Sequence, residues 1–240
     1  MKIAVTIFIK DGDPWRFRNV LFSLMEQSRQ PDQIIIVDFG STKKNSEDYQ
    51  RMAGGSGIDT EFVVVRDDTK VFHPARMANI ATKHTSCDYL ITTDIDVVFT
   101  RNAIELAERE FEKGNFVMCR RKDLSEGLTP YFEKSISMIN QVDLIYDLTD
   151  IELRKGHGSF QGTKVSWLRE EGGYDENFKG WGFYDMEIEW RAKHRYGIEW
   201  TMLDDLGMKM LHVYHDTLPY RDKTYQTNKD YFFKKIGKEQ

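Results

Sequence analysis

Short apolar runs alternate with amphipathic stretches over the first hundred residues. Ile3 to Ile9 reads as a buried strand, Trp15 to Ser28 as an amphipathic helix, and Gln33 to Asp38, with Ile34-Ile35-Ile36-Val37 at its centre, as a second strand. Phe39-Gly40-Ser41 marks a turn, and a polar helical stretch follows to about Met52. Glu61 to Arg66 is a third strand, Pro74 to His84 a helix with proline in its first turn, and Tyr89 to Thr93 a fourth strand. This alternation predicts an α/β fold with a mostly parallel sheet and right-handed crossovers, whose first half suits a nucleotide.

The second half is less regular. Arg101 to Lys113 reads as a helix, Phe116 to Cys119 as a strand, and Tyr131 to Asp147 as a helix or helix-like excursion. The glycine-rich stretch Gly156 to Gly162 reads as a loop; it lacks the spacing of a phosphate-binding P-loop. Lys164 to Glu170 is a short helix broken by Gly172-Gly173, Tyr184 to Tyr196 is another, and Met208 to Tyr214 is a final strand before a partly helical tail from Tyr220.

At 240 residues the chain can bury a real core as one domain, with residues 1–100 as its nucleotide-binding half, 101–219 as its acceptor side and 220–240 as a tail. Cys87 and Cys119 have no metal-site or disulfide spacing, which points to small core residues in a reducing, cytoplasmic setting. No stretch approaches the ~18 apolar residues of a membrane span, so no transmembrane segment is expected. The net charge of −5 argues against a nucleic-acid binder, which neutralises phosphates with a basic face.

Candidate chemistry starts at Asp94-Ile95-Asp96, at the end of the fourth strand. In an extended chain positions i and i+2 point the same way, and open α/β sheets bind ligands at the carboxyl ends of their strands. Two carboxylates there suit Mg²⁺ or Mn²⁺, which keep open positions for phosphate oxygens. Gly180-Trp181-Gly182 stands at a helix entrance, where backbone N–H groups and an aromatic plane can approach a ligand. Asp185 and Glu187 follow on different sides of that helix, so at most one is the catalytic group. His212 and His215 would lie on opposite faces of a strand, which argues against a simple two-histidine site; one of them could complete a site begun elsewhere.

Taken in order, Val5-Thr6-Ile7, Ile36 to Ser41, Phe72 to Asn79, Asp94-Ile95-Asp96, Gly172 to Phe178, Gly180-Trp181-Gly182 and the terminal His-x-x-His resemble the GT-A glycosyltransferases. The resemblance is particularly to the family 2 type and the related β1,4-galactosyltransferase and chondroitin polymerase catalytic domains. The resemblance spans about residue 3 to 216 and implies a GT-A (Rossmann-like) sheet with helices on both faces. It implies a metal-dependent, inverting transfer from a UDP-sugar to a carbohydrate acceptor, with Mn²⁺ or Mg²⁺ as cofactor. By the same resemblance Thr6 and Ile7 would line the nucleotide pocket, Asp38 would bind uracil or ribose, and Arg76 would lie near the diphosphate or base. Asp94 would contact ribose or sugar, Asp96 would bind the metal with His215, and His212 would be a second choice of ligand. Asp185 would be the general base, Trp181 would pack on donor or acceptor sugar, and Gly182, Tyr184 and Glu187 would belong to the acceptor side.

One departure stands out. Relatives commonly read G-W-G-G-E-D, whereas this chain has Phe183-Tyr184 in place of the Gly-Glu pair, which puts acceptor identity in doubt. Two other readings remain: a sugar nucleotidyltransferase, for which Lys10-Asp11-Gly12-Asp13-Pro14 is a poor match to the basic glycine-rich loop, and a carbohydrate-binding protein that kept the fold.

Overall fold

Every residue of the strand Ile3–Ile9 (β1) is buried, and its side chains divide between two cores. Ile3, Val5, Ile7 and Ile9 enter one and Ala4 and Phe8 the other, as the two-residue period of a strand requires. The chain, a computed structural model that describes residues 1–66, 71–149, 153, 158–216 and 221–237, is built outward from this strand. Its first half runs β1, α1 (Pro14–Met25), β2 (Gln33–Asp38), α2 (Lys43–Gly54), β3 (Thr60–Val64), α3 (Pro74–His84) and β4 (Tyr89–Asp94). The second half continues with β5 (Val97–Phe99), α4 (Ala103–Glu112), β6 (Phe116–Met118), β7 (Lys122–Asp123), α5 (Thr129–Lys134) and α6 (Val142–Leu148). It ends with β8 (Phe160–Lys164), α7 (Val165–Glu170), α8 (Tyr184–Tyr196), β9 (Trp200–Met202), β10 (Met210–His212) and α9 (Arg221–Ile236).

Seven strands form one sheet in the order β3-β2-β1-β4-β8-β6-β9. The first four pair in parallel, β8 runs antiparallel to both its neighbours, and β9 is parallel to β6, so the sheet is mostly parallel. Helices cover both faces: α1, α2 and α4 pack on one core, α3, α7, α8 and α9 on the other. A second, three-stranded sheet, β5-β10-β7, stands at the carboxyl end of β4 and carries a small core of its own around Val98, Phe132 and Leu211.

Two expectations are corrected. Phe160 to Gly162, expected in a loop, belongs to the strand β8. A Cβ on Gly162 would lie 2.7 Å from Phe111 and 2.9 Å from both Ile91 and Val117, so this glycine permits close packing rather than a turn. Gly156 and His157 lie outside the described residues. The expected helix Tyr131 to Asp147 is three pieces, because Ser135 is extended (φ −138°, ψ 119°) and a 3₁₀ turn, Ile136–Gln141, separates α5 from α6. The breaks let Phe132, Ile139 and Val142 all reach the small core.

The tail is an integral part of the structure. Asn228, buried on α9, places its side-chain amide 3.0–3.1 Å from the carbonyls of Lys179, Trp181 and Gly182, and Thr224 Oγ1 accepts from the Trp181 N–H at 3.1 Å. Lys235 bridges Asp175 (2.7 Å) and Glu187 (2.8 Å), and Arg191 closes the group on Glu187 at 3.0 Å. Phe183 explains why glycine is dispensable at its position. Its φ of 68° is left-handed, a strain of about 1–2 kcal/mol for a residue with a Cβ. Its ring is buried against Tyr225 and Phe232 of α9, and such burial is worth about 1.5–3 kcal/mol, enough to offset the strain.

Asn228→Ala leaves these carbonyls without their donor and is expected to lower stability by about 2 kcal/mol, with hydrogen exchange at residues 179–183 rising first; unchanged exchange there would refute the clamp. For Asp175, burial alone would raise the pKa, yet Lys235, the Asn177 N–H and Tyr231 lower it to about 2. The ionised group therefore stabilises the fold above the ordinary carboxylate range, and that contribution fades as pH falls towards 2. In urea titrations Asp175→Asn should lower stability by about 2 kcal/mol at pH 6, with the gap closing below pH ~4.

Candidate active site

Asp94 is the last residue of β4, and Asp96 sits on the turn into β5, so the two acids are placed by a strand end and the bend after it. The far end of the chain meets them there. β10 pairs antiparallel with β5, setting His212 opposite Val97, and the Val213 N–H donates to the Asp96 carbonyl at 2.9 Å. His212 Nε2 lies 3.5 Å from Asp96 Oδ1 and His215 Nε2 lies 2.9 Å from Oδ2. The rule that i and i+3 in a strand face apart does not apply, because β10 stops at His212 and the chain turns. The two rings meet edge to face, 5.2 Å between centroids.

The carboxylate and both imidazoles can offer one donor atom each within 4.8 Å of one another, a spacing that one metal ion can satisfy. Asp96 Oδ1 is buried and accepts no hydrogen bond, as a ligand atom held ready would be. Both histidines also have a partner at Nδ1, Asp123 for His212 (3.2 Å) and the Asp216 carbonyl for His215 (2.8 Å), which directs each Nε2 at the acid.

The charges respond to burial and to each other. Burial and the neighbouring Asp96 raise the Asp94 pKa to about 6, against the opposing pull of Ser159 and Arg121. Burial would raise Asp96 too, but His212 and His215 hold it well below the usual carboxylate range. Burial would lower His212, but Asp96 and Asp123 raise it to about 9. Burial raises the Tyr184 phenol far above its ordinary value, with Asp94 and Asp185 adding to it. The site thus holds a neutral phenol beside a carboxylate pair in which one member is firmly ionised.

These groups line a cavity of about 890 Å³ outside the carboxyl ends of β1 and β4. Asp94, Asp96, His212 and His215 lie on its wall, as do Trp181, Gly182, Tyr184 and Asp185 from the loop and first turn of α8. Asp185 packs against Gly158, where a Cβ would come within 2.1 Å of its Oδ2. Trp181 is 39% exposed, with the Arg221 guanidinium 4.1 Å from its ring centre.

Other expected residues stand elsewhere. Thr6 and Ile7 are fully buried within the sheet, and the wall positions on that strand and just past it belong to Phe8 and Lys10. Asp38 is fully buried behind the wall: its Oδ1 accepts from the Ser41 N–H at 3.0 Å, and Ser41 Oγ accepts from the N–H of Asp11, which does line the cavity. Arg76, on the first turn of α3, lies over the Phe39 ring, off the cavity wall. Glu187 is 1% exposed and bound to Arg191 and Lys235, which commits it to docking α9 rather than to an acceptor. Sequence reasoning passed over Arg16, Arg121, Ser159 and Tyr225, which also line the cavity. Of these only Arg121 carried a signal, as part of a charged run just after a short strand.

Among solved structures, the mannosyltransferase PcManGT from Pyrobaculum calidifontis in complex with GDP-Man and Mn²⁺ is similar in fold: TM-score 0.62, 16% identity, 89% of this chain and 56% of that one. GalNAc-T7 with UDP, GalNAc and Mn²⁺ superposes with a TM-score of 0.64 at 14% identity, over 97% of this chain and 50% of that one. S. aureus TarS 1–349 in complex with UDP-GlcNAc gives a TM-score of 0.61 at 13% identity, over 91% and 60%. The chain therefore spans between half and six tenths of the length of these structures. No curated protein matches it by sequence, and among its described residues no helix is long and apolar enough to cross a membrane. The family described as Glycosyl transferase family 2 matches residues 16–172, more than half of the chain. The α/β sheet and its strand-end cavity thus have a lineage as well as a shape: the chain belongs to glycosyl transferase family 2 and has the GT-A fold.

Proposed function

We propose that this chain, acting as one unit, moves a hexose from a UDP-sugar of the galactose, N-acetylgalactosamine or glucose type to a hydroxyl of a glycan, with inversion at the anomeric carbon. The observation that carries this reading is the convergence of Asp96, His212 and His215 on the wall of the strand-end cavity. One carboxylate oxygen and two imidazole nitrogens suit Mn²⁺ better than Mg²⁺, which prefers oxygen alone. Two of the similar structures carry Mn²⁺ with a nucleotide or nucleotide-sugar, which agrees with that choice. When bound, the ion would supply positive charge to the departing nucleoside diphosphate. The buried, unpaired cysteines Cys87 and Cys119 fit a cytoplasmic setting.

The protein's own groups account for the rest. Asp96, His212 and His215 hold the ion, and Asp94 takes the ribose or the sugar. Lys10, Arg16 and Arg121 add positive charge along the cavity wall, where a diphosphate gains most from it. Across the cavity Trp181 offers an apolar face to a sugar ring, and Asp185 accepts the proton of the attacking hydroxyl. As that oxygen bonds to the anomeric carbon, the carbon's bond to the phosphate oxygen breaks and its electron pair leaves with the diphosphate. Tyr184 stands where relatives carry an acid; as a neutral phenol it favours an acceptor read by hydrogen bonding and ring contact.

Thermal shift with UDP, GDP or ADP, each with Mn²⁺ or with EDTA, tests the reading. UDP with Mn²⁺ should stabilise the fold, by about 2.7 kcal/mol at a hundredfold excess over Kd; no response to any nucleotide would refute it, and a response to GDP alone would reassign the donor. Asp185→Asn should keep UDP binding and lose at least ~100-fold in transfer. Gly158→Ala should produce a smaller loss of the same kind, because its methyl group would displace the Asp185 carboxylate. Unchanged transfer in Asp185→Asn would remove that residue as the base.

A further inference from the structure

The two acids of Asp94-Ile95-Asp96 are joined to each other by side chains from three other segments. Asp94 is hydrogen-bonded to Ser159, just before β8, and Ser159 Oγ accepts from Arg121 Nη1 at 2.6 Å. Arg121 Nε donates to Asp123 Oδ1 at 3.2 Å. The same oxygen lies 3.2 Å from His212 Nδ1, and His212 Nε2 returns to Asp96. Asp123 is the one acid of this ring with no role assigned above, and it contacts both an imidazole and a cavity cation.

Its position is fixed by backbone pairing. β10 runs parallel to β7, with His212 in register with Asp123, and the Leu124 N–H donates to the His212 carbonyl at 2.8 Å. The two side chains are therefore cross-strand neighbours on one face, and both are largely buried. The neutral imidazole has one N–H and one lone pair, so a carboxylate at Nδ1 places the proton there and leaves Nε2 as the donor atom. His215 makes the equivalent contact with a backbone carbonyl, which carries no net charge.

The geometry points to Asp123 as the positioning residue of the site: it fixes the tautomer and ring plane of His212, so that Nε2 faces the position between Asp96 and His215. It also holds Arg121 beside Asp94. This rests on the reading that Asp96, His212 and His215 bind a divalent ion, and it goes further by assigning the residue that makes His212 a good ligand. The roles are distinct: Asp123 has its carboxylate on the Nδ1 side of the imidazole and does not line the cavity.

The test is Mn²⁺ binding to the full chain, measured by calorimetry without any acceptor or turnover. Asp123→Ala should weaken Mn²⁺ by about 10–100-fold, the usual loss for a partner of a ligating histidine. Asp123→Asn, which keeps an acceptor oxygen without the charge, should fall between Asp123→Ala and the wild type. Melting of the metal-free proteins separates this from a merely structural role, which would lower the melting temperature and leave the affinity of the folded protein unchanged. If Asp123→Ala does not fold, Asp123→Asn decides, and a loss of about threefold or more supports the assignment. Wild-type affinity in the folded variants would overturn the role of Asp123 alone. A wild-type chain that took up no Mn²⁺ would overturn the metal reading and the role of Asp123 together.

Discussion

Two backbone pairings of β10, with β5 and with β7, hold the site together. β5 lies directly after the acids, β7 follows β6, and β10 comes more than a hundred residues after β5; their short ladder is what brings His212 and His215 over Asp96. Each strand is only two or three residues long and could not persist alone. The small core beneath them, where Val98, Leu124, Phe132 and Leu211 are almost wholly buried, supplies what the ladder lacks. The meeting of Asp96, His212 and His215 from distant segments thus depends on a small apolar core built from other residues.

Electrostatics then sets the two acids apart. A carboxylate taken out of water stays ionised only if opposite charge or hydrogen bonds replace the lost hydration. Asp96 has two imidazoles and remains ionised, while Asp94, equally buried and beside another acid, is pushed towards neutrality. The same two acids therefore differ in charge, which underlies the separate roles proposed for them. Their separation comes from the elements that pack against them, since the residue types are identical.

Much of this was legible in the sequence where structure is local. The strands β1, β2 and β4 and the helices α3 and α8 announce themselves through apolar runs, proline at a helix start and glycine at a helix end. The acid pair, the W-G loop and Asp185 could be named because each belongs to a short motif. What could not be read was long-range: that Gly162 lies in a strand because three side chains crowd it, or that β10 stops at His212 and lets His215 turn back. Thr6, Asp38 and Glu187 were expected at the cavity wall for their motif positions, but burial assigns them to the sheet, a turn and an ion network. Phe183 is instructive in the other direction: a left-handed position holds a residue with a large side chain because α9 buries its ring. The helix α9, which clamps the loop of Lys179 to Gly182, was legible in the sequence only as a partly helical, charged and aromatic tail.

The family assignment and the fold stand without any ligand; the central claim is that one divalent ion sits between Asp96, His212 and His215. A crystal grown with Mn²⁺ and UDP, measured on both sides of the manganese absorption edge, tests it most directly. The account predicts a single anomalous peak about 2.0–2.2 Å from an Asp96 oxygen and from both Nε2 atoms. A peak elsewhere in the cavity, or ordered UDP with no anomalous density beside Asp96, would contradict it.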